Sequence, residues 1–248
     1  MTKTDEYRTK LHGLQDWGPY LLKESGLPGP RGNIELAQVV ADEGNRQLFQ
    51  QYLTYNAEKA PVNSPYEFLA FCGIIGLGRL LAEGDQDLMP TLRQVASDPR
   101  WRLREGVAMA LQRLGDVDMD RLLTEMHAWG QGTPLEQRAA AAALCEPRLL
   151  RQARHAQATL RILDRITASI ERSDDRRSAG FLTLRQGLGY CWSVAVAALP
   201  GEGKVLMEKW LTKPDKDIRW IMNENLKKAR LARMDVNWVK QWQDRLKI

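Results

Sequence analysis

The sequence predicts an all-α chain built of antiparallel helix pairs, on three observations. Apolar residues recur with a period near 3.6 in almost every segment, and none alternates cleanly at period two. From residue 86 onward the rhythm is helix, short turn, helix, and short connections make neighbouring helices pack antiparallel. Several helix starts carry Ser, Thr or Asp beside Pro, at Ser64-Pro65, Asp98-Pro99 and Thr133-Pro134.

The elements follow in order. Leu11, Leu14, Trp17, Leu21 and Leu22 suit an opening helix that Gly18-Pro19 bends or splits. Ser25 to Asn33, with Gly26, Pro28, Gly29, Pro30 and Gly32, is the strongest breaker in the chain. Short helices are expected over Ile34–Asp42 and Gln47–Tyr55, then a loop over Pro61–Pro65. Ser64 reads as the N-cap and Pro65 as the first residue of a long apolar helix running to Ala82. Further helices are expected over 86–97, 100–114, 119–129, 134–144, 155–171, 175–198, 203–212, 215–233 and 236–247.

Composition excludes several classes. With 44% hydrophobic residues at regular spacing, the 248-residue chain can bury a full core and is not disordered as a whole. The longest uncharged apolar stretch, Phe68 to Gly78, is short of the roughly 18 residues that a membrane span needs. The stretch from Met1 to Arg8 lacks the apolar core of a secretory signal. Cys72, Cys145 and Cys191 lie far apart inside apolar runs, which argues against a disulfide framework and for a reducing cytoplasm. A cytoplasmic monomer without membrane contact is therefore expected.

Charge is uneven. Residues 1–97 hold nine Lys and Arg against twelve Asp and Glu, whereas residues 98–248 hold 27 against 19. A basic C-terminal half points to an anionic partner for one face.

One motif recurs. Asp98-Pro99-Arg-Trp-Arg-Leu103-Arg104 and Lys213-Pro214-Asp-Lys-Asp217-Ile218-Arg219 share Pro, an aliphatic residue four positions on and Arg five positions on. Thr133-Pro134 with Arg138 is a third copy, and Ser173-Asp174-Asp175-Arg176 with Arg185 a degenerate fourth. Pro fits a helix start, Asp favours the positive end of the helix dipole, and the Arg can reach a neighbouring repeat. Asp98, Arg104, Arg138, Asp217 and Arg219 are thus expected to form a structural ladder. These residues resemble the HEAT family of helical repeats. The resemblance implies a right-handed α-solenoid of armadillo-type fold, one continuous array over 64–248 after an irregular helical region over 1–63, with a concave binding face.

Motifs of catalytic chemistry are missing. His12, His127 and His155 have no His or Cys partner at helical spacing, so no metal site is expected. Asp116-Val-Asp118-Met-Asp120 begins like a calcium loop but has Arg121 where glycine is needed and His127 where glutamate is needed, so it reads as a turn and helix cap. Gly201-Glu-Gly203-Lys204-Val205 lacks the first Gly and the Ser or Thr of a phosphate loop. Gly73, Gly76 and Gly78 read as close helix packing. No cofactor is expected.

Basic and aromatic residues carry the remaining signal. Arg148, Arg151 and Arg154 recur every three residues, and Arg219, Asn223, Lys227 and Arg230 form a second stripe extended by Lys228 and Arg233. Such stripes can track a phosphate backbone. Of eight tryptophans, Trp101, Trp192, Trp220, Trp238 and Trp242 lie in the basic half, Trp101 and Trp220 close to the ladder Arg of their repeats, and Gly187 and Gly189 suggest a cleft or close approach beside Tyr190 and Trp192. The expected nucleic-acid contacts are Arg148, Arg151, Arg185, Trp192, Arg219, Trp220, Asn223, Lys227 and Arg230. Two functions follow. One is a non-catalytic repeat scaffold whose basic concave face binds nucleic acid or a protein. The other comes from similarity to the HEAT-like alkylpurine DNA glycosylases in size, helical build and a basic Trp-bearing half. That similarity implies a catalytic carboxylate near a damaged nucleotide. The Tyr190–Val196 stretch holds no Asp or Glu, and Asp175, Asp217 and Glu224 are the alternatives.

Overall fold

The computed structural model describes residues 2–246. Among them are fifteen α-helices, two 3-10 turns and no strand. The chain divides into two compact units, Met1–Val117 and Asp118–Ile248.

Unit 1 contains α1 (Lys3–His12), α2 (Gly18–Glu24), α3 (Ile34–Glu43), α4 (Arg46–Leu53), α5 (Pro65–Ala82), α6 (Met89–Val95) and α7 (Trp101–Val117). Gly18-Pro19 does not bend one opening helix but starts a second, with Pro19 in its first turn. Side-chain oxygens cap α3, α4 and α5: Asn33 accepts from Leu36, Asn45 from Leu48 and Ser64 from Glu67. The unit is built around α5, which packs against α2, α3, α4 and α7. The expected boundary at 63/64 therefore falls inside this unit, because the helices before it share a core with α5. Alone among the described helices, α5 is long and apolar enough to cross a membrane, and most of it is buried within the unit. Its glycines serve packing: a Cβ on Gly78 would lie 2.3 Å from the Ala110 Cα of α7, and one on Gly76 would lie 2.4 Å from the Phe49 ring of α4.

Unit 2 contains α8 (Met119–Trp129), α9 (Pro134–Leu144), α10 (Ala153–Glu171), α11 (Ala179–Ala198), α12 (Pro200–Leu211), α13 (Lys216–Leu226), α14 (Ala229–Met234) and α15 (Val236–Leu246). Lys247, the last residue of the expected 236–247 helix, lies outside the described residues. Asp118 caps α8 through the Arg121 N–H, so the Asp116–Asp120 stretch is a turn and cap. Thr133 and Glu136 make a reciprocal capping box at α9. The helix expected from 175 begins at 179, because Asp175 takes the N–H groups of Arg177 and Ser178 into a turn. The helix expected over 215–233 breaks after Leu226. There the Asn225 side chain donates to the Ile221 carbonyl, a local competitor to the helical ladder. In packing, α11 lies between α9 and α13, while α10 contacts both α8 and α12.

Candidate nucleic-acid interface

The break between α13 and α14 shapes a basic cleft of unit 2, about 660 Å³ in volume. Lys227, Lys228, Arg230 and Arg233 line one side of it, and Arg151 joins them from the turn that follows α9. Its apolar surface comes from Leu150 and from Val194, Ala197 and Ala198 in the last turns of α11. No carboxylate among the described residues lines it. The C-termini of α11 and α13 lie at this cleft, and the negative ends of their dipoles ease the repulsion among the cations.

Tyr190, one turn before Val194, is exposed. The Arg230 guanidinium lies 4.7 Å from the centre of its ring and also donates to its hydroxyl. The Lys228 ammonium lies 5.9 Å from the same ring centre. Arg151 and Arg233 are exposed, and neither side chain has a bonded partner among the described residues. Lys227, just past the end of α13, pairs with Glu224 in its last turn.

The remaining expected residues are placed less uniformly. Arg148 lies outside the cleft lining and pairs with Glu146 at 3.1 Å. Arg185 lies along the seam between α11 and α13, its guanidinium 3.9 Å from the centre of the Trp220 ring. Its Nε stands 3.0 Å from Asp217 Oδ1 without a directed hydrogen bond. Arg219 and Asn223 occupy α13 with no side-chain partner among the described residues. Trp192 cannot contact a ligand. It is fully buried, and its Nε1–H donates to Thr167 Oγ1 at 2.9 Å, so it is a core residue of unit 2. Gly187 and Gly189 do provide close approach: a Cβ would meet Arg138 at 3.2 Å in the first case and Trp220 at 3.1 Å in the second.

The ladder residues serve more than one purpose. Asp98 holds the buried Arg100, accepting from its Nε and Nη2 at 2.9 and 2.8 Å. Arg104 folds back on the start of its own helix, donating to the carbonyls of Asp98 and Pro99. Asp217 receives Arg185 from α11 and also Arg176, from the loop before α11, at 3.1 Å. Arg219 makes no rung. Arg176 also bonds Asp215 at 2.7 Å. Burial raises the Asp215 carboxyl, but bonds from Arg176 and from the N–H groups of Ile218 and Asp217 outweigh it, leaving the group below its ordinary range.

The carboxylates considered for catalysis are all engaged, and none of them lines the cleft. Asp175 organises its turn, Asp217 binds two arginines and Glu224 pairs with Lys227. Burial pushes the Cys145 thiol well up, and the neighbouring Cys191 adds to this, so Cys145 stays protonated at neutral pH. No three metal-ligating side chains converge among the described residues. The apolar floor has no direct signature in the sequence, because Leu150 and Ala197 are far apart in the chain. The α13–α14 break was hidden by continuous helical periodicity. Comparison with protein-family models, curated proteins and solved structures finds no match.

Proposed function

We propose that unit 2 binds nucleic acid without catalysing a reaction on it, through the cleft between the end of α11 and the α13–α14 break. The observation that carries this reading is the convergence of five cations on one cleft with no lining carboxylate among the described residues. Cationic walls suit phosphates, whose neutralisation releases counterions. The apolar floor and the exposed Tyr190 suit unpaired bases, so a single strand is the preferred form. We also read α8–α9, α10–α11 and α12–α13 as successive HEAT-like pairs in an α-solenoid. The support for this is that α9, α11 and α13 pack in sequence and α10 touches both α8 and α12.

The test is fluorescence anisotropy of labelled single-stranded and duplex oligonucleotides across a salt series. Binding should weaken linearly in log salt, with a slope of about 3.5 for a single strand if all five cations engage phosphates. No binding at low salt would overturn the reading and leave a protein partner.

A further inference from the structure

Unit 1 holds a separate cavity of about 580 Å³. Phe68 and Phe71 of α5 line it, together with Trp101 and Met109 of α7 and Ile34 of α3. Pro30, Arg31 and Gly32, in the loop before α3, and Arg102 and Glu105 of α7 complete the lining. Trp101 is 44% exposed, whereas Trp129, Trp192 and Trp210 are fully buried. A volume of this size with aromatic walls is typical of small-molecule sites.

The walls are fixed by a buried charged knot. The Arg102 guanidinium stacks 4.4 Å from the centre of the Trp101 ring. Its nitrogens donate to Glu67 Oε2 at 3.0 Å, to the Gly29 carbonyl at 2.6 Å and to Asn63 Oδ1 at 3.1 Å. Glu67 is fully buried, and its Oε2 also accepts the Asn63 N–H at 2.7 Å. Asn63 adopts φ 68°, a left-handed conformation that this short polar side chain tolerates, and accepts the Gly29 N–H at 3.0 Å. The loop is thereby tied to α5 and α7, and the indole is held in one orientation before any ligand arrives.

The lining charges are unequal in availability. Arg102 is compensated by Glu67. Glu105 is already engaged within the protein. Arg31 is exposed and has no partner among the described residues. We propose that this cavity binds a small organic anion, with an aromatic or branched apolar body against Trp101, Phe68 and Phe71 and one acidic head group on Arg31. The proposal does not depend on the nucleic-acid reading of unit 2.

The experiment uses two probes on the full chain: 8-anilinonaphthalene-1-sulfonate, which carries the anionic head, and the uncharged N-phenyl-1-naphthylamine. The sulfonate probe should bind saturably, one per chain, with enhanced fluorescence. Arg31→Ala should weaken it roughly tenfold or more, the scale of a lost charge-assisted hydrogen bond, and leave the uncharged probe unchanged. Met109→Trp, which fills the cavity, should abolish both, and Ile34→Trp repeats that test from α3 should the first variant not fold. Absence of saturable binding, binding that survives a folded cavity-filling variant, or an equal effect of Arg31→Ala on the two probes would each overturn the proposal.

Discussion

Asn225 accepts the backbone N–H of Ser193 through its side-chain oxygen at 2.7 Å, joining the last turn of α13 to the C-terminal half of α11. The same amide donates to the Leu188 carbonyl at 2.8 Å. Asn225 is fully buried, so no water replaces these bonds when they are lost. Asn225→Leu leaves two backbone groups of α11 short of partners, each costing about 1–3 kcal/mol. We expect a loss of about 3 kcal/mol by urea unfolding with the denaturant slope unchanged. A loss under about 1 kcal/mol would show that α11 closes its own ladder without help.

Trp192 and Tyr190 are two residues apart on α11 yet should behave oppositely. Trp192→Phe removes the bond to Thr167 and core volume, so the unfolding temperature falls while oligonucleotide affinity holds. Tyr190→Ala removes an exposed ring, so stability holds while single-strand affinity drops by about 1–3 kcal/mol, the scale of one stacked base. Anisotropy and thermal unfolding of both variants separate the two roles. Unchanged binding in Tyr190→Ala would remove stacking from the proposed function.

Helical periodicity made the element order readable, and α8 and α9 match their expected ranges residue for residue. The cap at Ser64 was equally plain, because a local oxygen decides it. What the periodicity could not show is which polar residues turn inward. Asn223 and Asn225 sit two positions apart on α13, one exposed and one fully buried. Trp192 looked like a ligand contact because it neighbours glycines and cations in sequence, but its burial is decided by Thr167, 25 residues away. Glu67 stands just before an apolar run, in the first turn of a helix where acid is favoured anyway. Its pairing with Arg102, 35 residues on, is tertiary information.

Stability should fall in acid. The Asp215 carboxyl lies below the usual 3.8 when folded, despite burial, because Arg176 and two backbone N–H groups hold the charged form. Glu43 lies below its usual 4.5, chiefly through the bond from Arg8 and then that from His12. A depressed carboxylate contributes stability that is present above its unfolded value and lost as pH drops through the folded one. The unfolding free energy should therefore hold near neutral pH and decline below about pH 4. Asp215→Asn should lower the neutral-pH value and flatten the decline. A parallel curve, shifted but equally steep, would mean that Asp215 contributes through its cap to Asp217 and Ile218 and not through its charge.

The Glu67–Arg102 pair offers the sharpest contrast between breaking a charge pair and replacing it. Both side chains are nearly or fully buried, so removing one charge strands the other in a medium that solvates it poorly. Glu67→Gln should cost about 3–5 kcal/mol in urea unfolding. Glu67→Leu combined with Arg102→Met removes both charges and keeps an apolar filling, so it should cost less than the single substitution. It should not be neutral, because the Gly29 carbonyl and Asn63 Oδ1 lose the Arg102 donor as well. If the double variant is worse than Glu67→Gln, the tie from Arg102 to the loop outweighs the charge pair. That variant should then also lose the cavity's uncharged-probe binding, because Arg102 holds both the loop and the Trp101 ring in place.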